Sequence, residues 1–138
     1  MRKGLRASVG PLVDTSVLID YFGGIDNRES RVLDCLLTPG LPPATAPVIV
    51  QEFLQGLIVS EEFDLARRDL ENFFQLSPPD YQLHLRAAES HLRMKRRRVT
   101  VPTIDTLIVT MAREAGFSLL TRDRREKELA RFLGVRLS

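Results

Sequence analysis

The chain has 138 residues, 43% of them apolar and 28% charged, with a formal net charge of +2. That is the make-up of one ordinary globular domain, residues 1–138, large enough to bury a core, and it excludes function through a strong global field. One cysteine, Cys35, excludes an internal disulfide and a cysteine-rich zinc site, and its neighbours Val32, Leu33 and Leu36 predict a core position. The basic start, MRKGLRASVG, is followed by a short apolar run carrying Asp14 and Asp20, so neither a signal peptide nor a membrane span is expected and the cytoplasm is the default location.

In chain order, residues 1–8 read as a loose tail and 10–14 as a short strand. Thr15 and Ser16 are caps for a helix ending near Gly23-Gly24. Asn27 to Leu37 reads as a second helix stopped by Pro39-Gly40, and LPPATAP occupies the place of a second strand. Val50, Phe53, Leu54, Leu57 and Ile58 repeat at helical spacing, as do Ile104, Leu107, Ile108, Met111 and Ala112. A helix is predicted between Glu61 and Gln75, and another from Asp80 to about Arg96 with Tyr81, Leu85, Ala88 and Leu92 on its apolar face. Val99–Val101 and Phe117–Thr121 read as extended. A last helix covers about Asp123 to Leu133, and Val135 and Leu137 alternate as a final strand. Short strands alternating with dominant helices imply an α/β domain, a compact helix–sheet–helix sandwich with a mostly parallel sheet.

In LVDTSVLIDYF (Leu12 to Phe22), Asp14 interrupts an apolar run, which an unpaired acid does only at great cost. Ligands bind outside the carboxyl ends of parallel strands. Asp14 ends the first strand there and Asp123 follows the strand SLLT, while Glu52 and Asp105 lie near the starts of helices beginning near Pro47 and Pro102. Helices leaving the sheet in one sense bring all four to one edge. Four close carboxylates repel one another unless some stay protonated or a counter-charge is present. Mg²⁺ or Mn²⁺, both oxygen-ligated, resolves that conflict, activates water and stabilises phosphoryl charge. Metal-dependent phosphodiester hydrolysis is the leading chemistry. Against it, each acid taken singly is also explained as a helix cap or surface charge.

VDTSVLID (Val13 to Asp20), VQEFLQG (Val50 to Gly56), VPTIDTLIVTMAREAG (Val101 to Gly116) and LLTRDR (Leu119 to Arg124) occur in this order. Together they resemble a PIN-domain ribonuclease, specifically a VapC-type toxin of a type II toxin–antitoxin pair, over nearly the whole chain. The resemblance implies a PIN-like α/β/α sandwich in which Asp14, Glu52, Asp105 and Asp123 ligate Mg²⁺ or Mn²⁺ and promote RNA cleavage, leaving 5′-phosphate and 3′-hydroxyl ends. It also implies hydroxyls of Ser16 and Thr121 lining the site, a homodimer, and a cognate VapB-type antitoxin docking beside the acids. The chain departs from the family pattern after Asp123. Many relatives carry an acid two residues on or an aromatic three residues on, and here those positions are Arg125 and Glu126. Glu126 is read either as an auxiliary acid or as an exposed residue of the last helix.

Two basic groups suit RNA phosphates around an acidic metal centre: Arg96, Arg97 and Arg98 beside Lys95, and Arg122, Arg124 and Arg125 beside Asp123. The first run is equally a solvated helix end. His84 and His91, seven apart, are too distant to share a metal and read as partly buried structural residues. No histidine adjoins a candidate nucleophile and no GxxxxGKS or GxGxxG occurs, which leaves triad hydrolases and those nucleotide-binding enzymes unsupported. Receiver-like and dehalogenase-like readings fail on Arg122 in place of a lysine and Ser16 in place of a second acid. A PIN-like module that binds RNA or protein without cutting is the remaining alternative.

Overall fold

A computed structural model describes residues 9–38 and 41–138. The expected tail at 1–8 and the Pro39-Gly40 stop lie outside the described residues. Four strands, β1 (Leu12–Val13), β2 (Ala44–Thr45), β3 (Phe74–Gln75) and β4 (Leu119–Leu120), form a parallel sheet in the order β3-β2-β1-β4. Among the described residues seven helices connect them: α1 (Thr15–Phe22), α2 (Arg28–Leu37), α3 (Pro47–Leu54), α4 (Ser60–Leu70), α5 (Tyr81–Arg96), α6 (Thr103–Ala115) and α7 (Arg124–Leu133). This is the α/β/α architecture that the alternation predicts. Among the described residues no helix is long and apolar enough to cross a membrane.

Parallel strands covered by helices on both faces have no polar side, so β1 and β4 are wholly apolar and fully buried. Leu12 pairs with both Ala44 and Leu119, and Val13 pairs with Leu120. The expected final strand is a single parallel bridge between Leu119 and Leu137. The sheet grows outward from β1 to β2 and β3, then returns to put β4 on the other side of β1. The order therefore reverses between β1 and β4, where an open α/β sheet leaves a crevice at its carboxyl edge.

Several expected faces are corrected. The predicted helix to Gln75 ends at Leu70, because the Phe74 and Leu76 amides donate to the carbonyls of Pro43 and Thr45 and so build β3. α3 ends at Leu54, before Gln55-Gly56, which leaves Ile58 96% exposed rather than on the core stripe. α5 has the predicted span but the opposite face: Tyr81, Leu85, Ala88 and Leu92 look outward, while Ala87, Ser90 and Met94 are buried. Small residues let α5 lie close against α6, whose residues from Thr106 to Ala112 are buried all round. Cys35 is exposed, about 200° around α2 from buried Leu33, and His84 is exposed as well. Val99–Val101 adds no strand, although Val101 is buried.

Candidate metal centre at the carboxyl edge of the sheet

Asp14 immediately follows β1. Its amide donates to the Leu120 carbonyl (2.9 Å), and its Oδ2 caps α1 by accepting from the Ser16 amide (2.9 Å). The N-cap is thus Asp14, not Thr15 or Ser16. Asp123 holds the matching place after β4, with Oδ1 capping α7 through the Glu126 amide (2.9 Å). Asp105 lies in the first turn of α6, after Pro102, which is the N-cap rather than the first helical residue. Glu52 lies in the second turn of α3, where Oε1 accepts from Thr15 Oγ1 at 2.7 Å.

The cluster itself has a different membership from the four acids singled out by sequence. Carboxylate oxygens of Asp14, Asp105 and Glu126 all lie within 4.8 Å of one another. Glu52 and Asp123 flank this group, and their charges reach Asp105. Glu126 is fully buried and not a solvated residue of α7. Its place follows from periodicity: Glu126, Leu129, Ala130 and Leu133 form one helical stripe, so the acid occupies the first position of an apolar face.

Neither carboxyl oxygen of Glu126 has a hydrogen-bond donor among the described residues. Burial pushes its carboxyl up to about 11, and repulsion from Asp14 and Asp105 adds to the rise. Burial likewise raises Asp105 to about 6. A hydrogen bond with Glu126 opposes that rise, and the charges of Asp123, Asp14 and Glu52 reinforce it. Such contacts between carboxyls exist only while one carries a proton. Buried Asp14 and Glu126 and half-buried Asp105, without a cation, therefore keep a proton that ordinary carboxyls give up. A divalent cation is the group that would satisfy all three as anions, so this oxygen donor set fits one.

The two hydroxyls sit at this edge. Thr121 Oγ1 donates to Asp14 Oδ2 (3.3 Å) and accepts from the Asp123 amide (3.0 Å). Ser16 Oγ lies 3.5 Å from Thr121 Oγ1 and accepts from the Arg122 amide at 3.1 Å. Arg124 and Arg125 are exposed. Arg122 is engaged by two acids that the sequence reading did not single out: Nη1 donates to Asp20 Oδ2, and Nε lies 3.6 Å from Glu29 Oε1. Of the other basic run, Arg97 stacks over Phe132 (4.9 Å), as Arg93 does (4.8 Å), and Arg96 and Arg98 are exposed.

The PIN domain family model matches residues 12–132. The chain belongs to the PIN domain family. Solved structures with which it shares a fold include a toxin–antitoxin complex from Klebsiella pneumoniae (22% identity, 85% of this chain and 89% of that one, TM-score 0.60). FitAcB from Neisseria gonorrhoeae matches at 15% identity over 91% and 94% (TM-score 0.63), and FitAB bound to an IR36 DNA fragment at 16% over 92% and 92% (TM-score 0.65). Comparison with curated proteins gives no match.

Proposed function

We propose that this PIN domain, taken as one unit over residues 1–138, is a Mg²⁺- or Mn²⁺-dependent endoribonuclease, a VapC-type toxin held inactive by a cognate antitoxin. One observation carries the reading: Glu126, fully buried, presents two carboxyl oxygens without a donor to Asp14 and Asp105 at the carboxyl edge of a parallel sheet. A divalent cation bound there supplies Lewis-acid stabilisation of phosphoryl charge and a water of lowered pKa.

The chain's own residues then have distinct tasks. Asp14, Asp105 and Glu126 hold the cation, with Glu52 and Asp123 as flanking ligands or orienters of water. Two donors fix Asp14 Oδ2, Ser16 N–H and Thr121 Oγ1, so Oδ1 is the oxygen without a donor among the described residues. Thr15 fixes Glu52 in the same manner through Oε1. The exposed Arg124, Arg125, Arg96 and Arg98 suit phosphates of a strand crossing the site.

The antitoxin reading draws on the toxin–antitoxin and FitAB neighbours and on one surface. A groove of about 570 Å³ between α1, α3 and α4 is lined by Ile19, Phe22, Phe53 and Leu65, with Glu52, Glu62 and Asp69 on its walls. Apolar lining with acidic walls suits an amphipathic segment carrying basic residues, and Glu52 links the groove to the cluster. A homodimer belongs to the same reading, with the outward stripe of α5 offered to a second copy.

Purified protein free of antitoxin, assayed on a mixed tRNA, rRNA and mRNA panel, tests the reading. Cuts with Mn²⁺ or Mg²⁺ that vanish in EDTA and in Asp105→Asn are expected. Folded protein that cuts nothing under any of these conditions would point instead to a binding module.

A further inference from the structure

We propose that Arg122 is a positioning residue, its guanidinium clamped between Asp20 of α1 and Glu29 of α2 so that the turn joining β4 to α7 presents Thr121, Asp123 and Glu126 in register with Asp14. The clamp itself stands on geometry; only its kinetic consequence rests on the nuclease reading.

Residue 122 is fastened at both ends. Its amide donates to Ser16 Oγ, and its side chain reaches across to Asp20 and Glu29. The two acids are the more enclosed partners, with side chains 18% and 12% exposed against 47% for Arg122. Both are held from behind: Asp20 Oδ2 also accepts from Asn27 Nδ2 (3.0 Å), the residue capping α2, and Glu29 pairs with Arg28 at 3.2 Å. Each receiving carboxylate thus has a second partner besides the arginine, and a planar fork reaching both constrains the turn more than a single point charge could.

The neighbours of Arg122 give the clamp its reach. Thr121 contacts Asp14, while Asp123 caps α7 and so sets where Glu126 enters the cluster. A shift of this turn moves three site residues together. Outer contacts that orient a metal site commonly change its affinity or activity by about 10–100-fold. An arginine gripping RNA would instead need its guanidinium free of Asp20 and Glu29.

The two arrangements differ in sign, and Arg122→Gln, Asp20→Asn and their double variant separate them in the full chain. Amide exchange followed by NMR at Arg122, Asp123 and Glu126 should quicken by about 10-fold in each single variant, with Leu129 unchanged and no further gain in the double. With Mn²⁺ and an RNA substrate, both single variants should lower kcat by about 10-fold with KM within about twofold. Arg122→Lys should recover only part of the loss. Unchanged exchange in either single variant overturns the clamp. So does a split in which Arg122→Gln raises KM while Asp20→Asn lowers it, the mark of a phosphate contact. Should Arg122→Gln fail to fold, Asp20→Asn against wild type decides by the same exchange readout. A wild-type protein that cuts no RNA ends the nuclease reading and leaves the exchange comparison to decide the clamp.

Discussion

Glu126 sets the electrostatic character of the site. Without a cation its carboxyl carries a proton at neutral pH, because burial and two adjacent acids raise it to about 11. An acid whose pKa is higher folded than unfolded costs nothing at low pH, where both states are protonated. As pH rises above its ordinary pKa, the unfolded state loses its proton first and stability falls. For Asp105, raised from 3.8 to about 6, that loss accumulates between about pH 4 and 6 and then levels off. Metal-free protein should therefore lose thermal stability across this window, and Asp105→Asn should make the slope shallower, leaving the part due to Glu126, in melts recorded at half-unit pH steps. Glu126→Gln removes the remaining penalty. At pH 7 in EDTA it should raise Tm by several degrees, because the amide holds no proton that the unfolded chain would give up. The same variant should lose most of the Mn²⁺-induced rise in Tm seen in wild type.

At the level of elements, Asp14 and Asp123 serve as site acids and helix caps at once. Asparagine caps nearly as well as aspartate, so Asp14→Asn should abolish cleavage and change Tm little, whereas Asp14→Ala should also cost about 1 kcal/mol in denaturant melts. α6 and α7 end at Gly116 and Gly134, whose φ values of 75° and 77° suit glycine, but α5 closes through Arg98 at φ 64°. There the Arg98 and Val99 amides bond the carbonyls of Lys95 and Met94, a Schellman closure with arginine in the glycine place. Arg98→Gly should gain about 1 kcal/mol and raise Tm by roughly 2–4 °C. If Arg98 contacts phosphate, the more stable variant should also bind RNA with a salt slope shallower by about 1. Elements were the most legible feature of the sequence, since stripes such as Ile104–Ile108–Met111 and stops such as Gly134 act locally. Faces were less so. α5 carries apolar residues on two sides, and only its packing on α6 selects Ala87, Ser90 and Met94 over Tyr81, Leu85 and Leu92.

The whole molecule decides what the acids can do together. Reversal of strand order between β1 and β4 converges residues separated by more than 100 positions, as the Thr121–Asp14 contact illustrates. Asp14 and Asp105 could be singled out from strand ends and helix starts. Glu126 stood open because an acid at the head of an apolar stripe can be read as the last exposed residue before the core. The Asp20–Arg122–Glu29 bridge had no local signal at all, since its three members come from separate elements. Interior packing supports this edge as one unit: Leu129, fully buried one turn after Glu126, should cost about 2–5 kcal/mol when replaced by alanine, read from urea unfolding.

The measurement that bears most directly on the cluster is Mn²⁺ titration calorimetry at pH 7, run in two buffers of different ionisation enthalpy. Saturable binding should release about one proton per site, the one held by Glu126, because carboxylates bind metal as anions. Glu126→Gln should weaken that binding by about 10–100-fold and abolish the proton release. Failure of wild-type protein to bind Mn²⁺ saturably, or binding by Glu126→Gln with unchanged affinity and proton release, would contradict a metal site built on Asp14, Asp105 and Glu126.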